Sequence, residues 1–540
     1  MRKDWSSLAL ACVIAQIPFE LRYTLLGLSN LQWTFLVLVA VSAPLLIDNW
    51  KLLIRQRLVQ AASLFVAIQW VTAFLAPEFH TNAVKAAVRL TAGLLLLAIA
   101  FIRSSRRPET GCVFDRVWVI AASAAAAYAL LSYAGFGLPW LFRDEEFYIG
   151  QVQRLSGSFE YPNTAAAYFA MSLPIVWWSS FRPALRGTFA FLLWCAVNLT
   201  LSRGALAAIP LAVAGGLLLA SSRGIEWRRT AALLGLGIAA YGVLLPVNPY
   251  LIGRLYGPGT PNPIAAEYRT PWNKLQQQPG AYDQIPLQIR NTGSTKWRSR
   301  GLWRTSVGYR WFDMESEKFI PTKPIITELP HTVDRGETID TVARFQMPAQ
   351  SGKYLLVLEP FSRDFNWFSQ IGVIPALIQV DVLPGITRAV DTMDLSDLYH
   401  REESPSLLTA SVPRAQLWRV ALSIFLEHPS GIGPDNYRLE YGKYLGAAHW
   451  DTNIHSNNLF LEILTGSGIF GLTAFGLVLL GIRWRFSASC LAIAIFLIHG
   501  VVDVFLTTTP IYFAFWLLAG TTAKARNIPL LAEEGWTRHQ

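Results

Sequence analysis

Four groups of ionisable residues stand beside apolar runs in this chain, where a charge is costly and is a functional candidate by default. Arg203 lies in NLTLSRGALAAIP, between two apolar runs. Arg414 opens the segment RAQLWRVALSIFLEHP. His449, Asp451 and His455 fall in AHWDTNIHSNNLFLEIL, just before another run, and His499 and Asp503 stand four apart in a late one. That spacing puts His499 and Asp503 on one face if the helix continues through both. Arginine stays charged and donates a bidentate fork suited to phosphate. Histidine can take a proton from a hydroxyl near neutral pH. Two arginines and a histidine on one side of a membrane therefore fit attack by a hydroxyl on a phosphate-activated donor. Each residue also has a plainer reading: Arg203 as a snorkelling anchor, Arg414 as the partner of a loop carboxylate, His455 as a helix cap, His499 as a satisfied bundle histidine. No Asp-rich motif or paired His/carboxylate ligand set accompanies them, so no metal is expected.

The elements that must position these residues are membrane helices. The 540 residues are 52% hydrophobic and 15% charged, against about 25% charged in a soluble domain, and the mean hydropathy is +0.33. A span takes about 20 apolar residues. Candidates fall at 5–26, 31–48, 58–76, 86–103, 115–135, 162–180, 186–201, 204–221, 229–247, 458–481, 486–504 and 507–521, about twelve in all. With the N-terminus inside, every inner connection is basic: Arg2 and Lys3; Lys51, Arg55 and Arg57; Arg103, Arg106 and Arg107; Arg182 and Arg186; Arg223, Arg228 and Arg229; Arg483 and Arg485; Lys524 and Arg526. The outer connections are 76–85, an acidic 143–160 with Asp144, Glu145 and Glu146, and a long 248–457. The net charge of +10 thus belongs to cytoplasmic loops and does not point to nucleic acid. The N-terminal stretch reads as a first span rather than a cleaved leader. Cys12, Cys112, Cys195 and Cys490 lie in or beside apolar runs and imply neither a disulfide framework nor a thiolate metal site.

The expected organisation is spans one to nine over 1–250, a linker at 251–263, and an extracytoplasmic β-sandwich over 264–385. An outer loop with an amphipathic helix follows over 386–457, then the last three spans and a cytoplasmic tail over 458–540. The β-sandwich rests on alternating stretches such as IPLQIRN, TSVGYRWF, TVARFQMP and KYLLVLEPF, separated by Asn291-Thr292-Gly293, Asp334-Arg335-Gly336 and Ser351-Gly352. Trp297, Tyr309 and Trp311 are its expected core. It carries no catalytic set of residues and reads as a spacer or recognition module, resembling the immunoglobulin-like modules appended to cell-surface enzymes. In 414–429, Leu417, Val420, Ala421 and Phe425 recur at helical spacing, and Pro429 and Gly431 end the run.

Four stretches, in order, resemble the O-antigen ligase and O-antigen polymerase superfamily, which includes bacterial protein O-oligosaccharyltransferases. RLSGSFEYPNTAAAYFAMSLP resembles its Arg-x-x-Gly-x-Phe-x-x-Pro-Asn segment, and LTLSRGALAA its Ser-Arg-Gly segment. RAQLWRVALSIFLEHPSGIGPDNYRLEYG resembles its Arg-x-x-x-Trp helix and Gly-x-Gly-x-x-Asn turn, and HSNNLFLEILTGSGIFGL its His/Asn-rich entry to a late span. The likeness covers roughly 150–250 and 410–520. It implies a GT-C-like membrane glycosyltransferase of surface polysaccharide or lipopolysaccharide biosynthesis, resident in the plasma (inner) membrane with both termini cytoplasmic and the large loop periplasmic. Such proteins move glycan from a polyprenyl (undecaprenyl) diphosphate carrier to a lipid, glycan or protein acceptor, with no cofactor. By that likeness Arg203 and Arg414 hold the diphosphate, and His455 is the base on the acceptor hydroxyl, with His449 in reserve. Arg154, Asn163, Asp435, His449, Asn457 and Asn458 contact substrate. Relatives often carry His-Asn at the place of Asn457-Asn458, whereas here the histidine stands two residues earlier. An extended 455–457 lets His455 reach the site; a helix that already includes 455 turns the two positions about 200° apart. Ligase and polymerase remain alternatives, followed by a lipid-linked glycan transporter or flippase and a non-catalytic surface receptor.

Overall fold

In the computed structural model, residues 5–523 are described apart from 107, 143–146, 150–151, 220–222, 249–250, 252–264, 294, 302–303, 324, 363–365, 372, 393–406, 409–411 and 448. Arg2, Lys3, Arg107, Asp144, Glu145, Glu146, Lys524 and Arg526, most of the 251–263 linker and the tail beyond 523 lie outside the described residues.

Each apolar run contains a helix. These are α1 (Trp5–Gln16), α2 (Asn30–Asp48), α3 (Arg57–Phe74), α4 (His80–Arg106), α5 (Pro108–Leu131), α6 (Pro162–Trp177), α7 (Pro183–Leu199), α8 (Arg203–Leu218) and α9 (Arg223–Leu244). After the long loop and its own helix α10 (Arg414–Glu427) come α11 (Leu459–Gly481), α12 (Ala488–His499) and α13 (Thr509–Thr522). Among the described residues, five stretches are long and apolar enough to cross a membrane by length and composition: Asn30–Asp48, Arg57–Phe74, His80–Ser105, Val113–Phe136 and Leu459–Gly481. The helix starts follow local chemistry. Ser29 and Gln32 form a capping box on α2, and Ser202, Asn458 and Ser487 each accept a first-turn backbone N–H. Pro162 and Pro183 stand at the start of α6 and α7, where a missing N–H costs nothing.

Two helices, α1 and α12, stop well short of their apolar runs. The first run was expected to continue to 26, but α1 ends at Gln16, because Pro18 disfavours helix in the residue before it. The chain after it turns at Leu26 and Gly27, both at positive φ. The run 486–504 is helical only to His499. Asp503 therefore shares no helix face with His499, although the two remain 4.0 Å apart. α6 and α13 are buried along almost their whole length and form the middle of the bundle. Small residues permit the closest approaches: a Cβ on Gly520 would stand 2.6 Å from the Leu97 carbonyl oxygen.

Strands fill 266–392. One sheet contains β3 (Ala266–Arg269), β5 (Tyr282–Asn291) and β9 (Thr338–Gln346) in the order β3-β5-β9. The other is built on β4 (Trp272–Gln277), β6 (Thr305–Asp313), β7 (Lys318–Ile320), β10 (Gly352–Ser362), β12 (Ala376–Val382) and β13 (Ala389–Thr392), ordered β13-β4-β12-β10-β6-β7. β4 and β12 run parallel, and the other pairs are antiparallel. In β5 the buried positions Ile285, Leu287, Ile289 and Asn291 alternate with more exposed ones, which is the period-two pattern of a half-buried strand. Trp297, Tyr309 and Trp311 are 1%, 2% and 1% exposed and share one core with residues of both sheets. The chain is thus a set of apolar helices carrying an inserted β region. Cys12, Cys195 and Cys490 are free thiols.

Candidate functional site

The site begins at a turn. Residues 429–436 (PSGIGPDN) leave α10 and run against a break in α11, where Ser467 and Gly468 depart from helical backbone. The Ile432 and Gly433 N–H groups donate to the Thr465 and Gly466 carbonyls, each at 2.9 Å. Gly431 has φ +92°, and a Cβ there would lie 2.5 Å from the Gly466 oxygen, so the close approach requires glycine. On its other side, Asn436 donates to the Glu78 carbonyl at 3.1 Å and accepts from Asn82 at 3.0 Å. The turn is held between the α3–α4 connection and α11. That placement presents Asp435, itself at φ +66°, to Arg89 of α4 at 3.4 Å and to Arg438 at 3.2 Å.

His455 stands opposite. Residues 455–458 are non-helical, with Asn457 at φ +51°, and α11 starts only at Leu459. Asn458 caps it by accepting the Phe460 and Leu461 N–H groups at 2.9 and 3.0 Å. His455 therefore lies outside the helix. Its Nδ1 is 3.0 Å from Glu462 Oε1, and Glu462 also accepts from the Ser456 N–H at 3.0 Å and its hydroxyl at 2.7 Å. Asp435 Oδ1 lies 3.9 Å from the same Nδ1. Burial alone would lower the His455 pKa. The Glu462 charge and hydrogen bond, with Asp435, outweigh it and raise the pKa above the ordinary histidine value, against a smaller lowering by Arg438. Burial likewise pushes Asp435 up, but His455, Arg89 and Arg438 more than reverse it and hold the carboxyl below its ordinary value.

These groups open on a cavity of about 620 Å³. It is lined by Arg154, Asn163, Asp435, His455 and Asn457 from among the expected residues, and also by Glu20, Arg89, Glu160, Lys318, Arg438, Asp503 and Thr507. Arg154 ends the strand β2 (Val152–Arg154), which pairs with β1 (Phe147–Ile149). It is locked by Nη2 to Asn163 Oδ1 at 2.6 Å and Nε to the Thr200 carbonyl at 2.8 Å. Burial lowers its pKa to about 10, opposed by Asp503 and reinforced by Arg414, so it remains a cation at neutral pH. Arg89 donates to the Thr507 carbonyl at 2.9 Å.

Arg203 and Arg414 do not line this cavity, and both are exposed. They lie near enough to act on each other electrostatically, and Arg414 also acts on Arg154 and Asp503 of the cavity wall. Arg203 follows Leu201, a non-glycine residue at φ +57°, and its helix start packs on His499, whose Nε2 is 3.2 Å from Ser202 Oγ. His449 lies away from the cavity. It sits on the short strand β15 (His449–Trp450), which pairs with β14 (Leu407–Leu408), with Nδ1 3.8 Å from Glu317 of the β region. Asn458 serves as a helix cap and donates to the Val501 carbonyl at 3.0 Å.

Arg89, Glu462, Arg438 and Lys318 were not among the expected site residues. Arg89 and Glu462 carry a legible mark, an ionisable residue within or at the start of an apolar run. Asp435, His455 and Glu462 bring potential ligand atoms within 4.8 Å of one another. Those carboxylates are committed to two arginines, to the imidazole and to Ser456, and a cation placed among them would face Arg89 and Arg438.

Residues 366–476 match a family model described as O-Antigen ligase. The matched stretch includes α10, the 429–436 turn, His455 and Glu462, and it starts inside the β region, earlier than the resemblance suggested. No curated protein matches the chain. Among solved structures, the ASH / PapD-like domain of human CEP192 (PapD-like domain 7) aligns at 12% identity over 24% of this chain and 94% of that one, with a TM-score of 0.14. So low a score supports no argument about fold or function.

Proposed function

We propose, from the match of residues 366–476 to the O-Antigen ligase family model, that this chain is a membrane glycosyltransferase of the O-antigen ligase and polymerase superfamily. It moves a glycan from a polyprenyl-diphosphate carrier to an acceptor hydroxyl on the outer face of the plasma membrane, as a ligase and without a metal. The observation that carries this reading is His455 held by Glu462 at 3.0 Å on a cavity that also exposes Arg154 and Arg89. With Nδ1 donating to Glu462, Nε2 accepts the acceptor proton as the hydroxyl oxygen attacks the anomeric carbon. The Glu462 charge stabilises the imidazolium that forms. Arg154 inside the cavity, with Arg203 and Arg414 beyond its wall, offsets charge on the departing diphosphate. Asn163 orients Arg154, and Asp435 orients Arg89 and Arg438. His449 and Asn458 have no direct part in this scheme.

The same reading includes twelve spans in a GT-C-like arrangement, cytoplasmic termini, and the unit boundaries 1–250, 251–263, 264–385, 386–457 and 458–540. Polymerisation of lipid-linked repeats uses the same donor chemistry and is the alternative. Purified Arg203→Ala and Arg414→Ala proteins, assayed with a polyprenyl-diphosphate oligosaccharide, should each lose at least tenfold in kcat/KM, while the product mass separates ligase from polymerase. Full activity in both variants would remove the two arginines from the scheme.

A further inference from the structure

The β region reaches the cavity through one hairpin. β6 and β7 pair in register Asp313↔Lys318, Phe312↔Phe319 and Trp311↔Ile320, and Glu317 precedes Lys318 at φ +53°. The Glu317 carbonyl accepts the Thr452 N–H at 3.3 Å, and its carboxylate lies 3.8 Å from His449 Nδ1. Both contacts are to the segment that carries His455. On the sheet side, Phe319 packs on Phe312 with centroids 5.3 Å apart, and the Arg310 guanidinium lies 4.8 Å over the Phe319 ring. The hairpin is thus fixed from both directions, and Lys318 is exposed as part of the cavity lining beside Thr452, Asn453 and His455. Its charge acts on Asp451 of the same segment.

We propose that Lys318 is a specificity residue, receiving an anionic group (a carboxylate or a phosphate) on the acceptor glycan while His455 takes the acceptor proton. This rests on the transferase reading above. The donor diphosphate is tethered to lipid and confined to the side where helices and their connections supply Arg154 and Arg89. Lys318 comes from the soluble sheet and is joined to the segment of the base, where the acceptor must sit. A lysine ammonium is a compact point charge with three donors and suits an anion of variable geometry.

The test uses the full-length protein with a polyprenyl-diphosphate-linked oligosaccharide as donor and an envelope glycolipid fraction as acceptor, in untreated, carboxyl-reduced and dephosphorylated forms. Wild type, Lys318→Ala and Lys318→Arg are compared. For an exposed charge pair the expected change is about two- to fivefold. Removing the recognised group should raise the wild-type acceptor KM by that factor, and so should Lys318→Ala on untreated acceptor. Lys318→Ala should no longer distinguish the forms, Lys318→Arg should restore discrimination, and the donor KM should stay constant. If Lys318→Ala distinguishes the forms as well as wild type does, or if the donor KM shifts instead, the assignment is wrong. A wild type that transfers to none of the forms overturns the transferase reading, and this proposal with it.

Discussion

Replacing Glu462 with glutamine separates the charge behind His455 from its geometry. The amide keeps an acceptor oxygen for Nδ1 and most of the side-chain volume, but removes the negative charge 3.0 Å from the ring. The two side chains are 18% and 5% exposed, so solvent screens this pair little. A hydrogen bond to a charged group contributes about 1.5–3 kcal/mol, and 1.4 kcal/mol is a factor of ten. The imidazolium exists only once the proton has moved, so that stabilisation is lost from the transition state, and kcat should fall about 10- to 150-fold. The pH profile should move as well. A base works deprotonated, so the wild-type acid limb follows the raised His455 pKa and activity climbs as pH rises through it. Without Glu462 the raising influence is largely gone and burial, which lowers the pKa, dominates. The limb should therefore shift to lower pH even as the plateau falls. The assay is kcat against pH in detergent with saturating donor, alongside a thermal melt to show that the variant is folded. A folded Glu462→Gln protein with an unshifted limb and an unchanged plateau would refute the reasoning.

Other positions give independent tests. Gly431→Ala forces a left-handed alanine, at about 1–2 kcal/mol, into contact with the Gly466 carbonyl. It should lower the melting midpoint and cut transfer at least tenfold, because Asp435 hangs from that turn; an unchanged melt and rate would contradict the close packing. Arg154→Lys keeps the charge but cannot donate to both Asn163 and Thr200 in the same geometry. Its kcat/KM should fall about 10- to 100-fold, and wild-type kinetics would show that charge alone suffices.

The apolar runs made the helices legible, because a 20-residue hydrophobic stretch leaves a helix few competitors. Boundaries were less legible: the expected spans 5–26 and 486–504 run through Pro18 and Gly500, whereas the helices stop at Gln16 and His499. The strands of the β region were legible from period-two alternation, and Trp297, Tyr309 and Trp311 from their size. The site was legible in part. Arg154, Asn163, Asp435, His455 and Asn457 meet at one cavity, and the stop at Asn458 explains why His455 escapes the helix. His449 read as the reserve base, and the structure sets it on β15, paired with β14 and beside Glu317 of the β region. Arg89 and Glu462 were passed over because each sits in an apolar run that reads as packing. Their partners come from elements up to 418 residues away along the chain. Lys318 was not legible at all, since its place depends on how a hairpin of the β region meets the loop before α11.

The most direct test of the account is glycan transfer by the purified protein from a polyprenyl-diphosphate-linked oligosaccharide in EDTA, with His455→Ala alongside. Transfer should survive EDTA and fall at least about a hundredfold in the mutant. Transfer undiminished in His455→Ala, or abolished by EDTA and restored by a divalent metal, would contradict it.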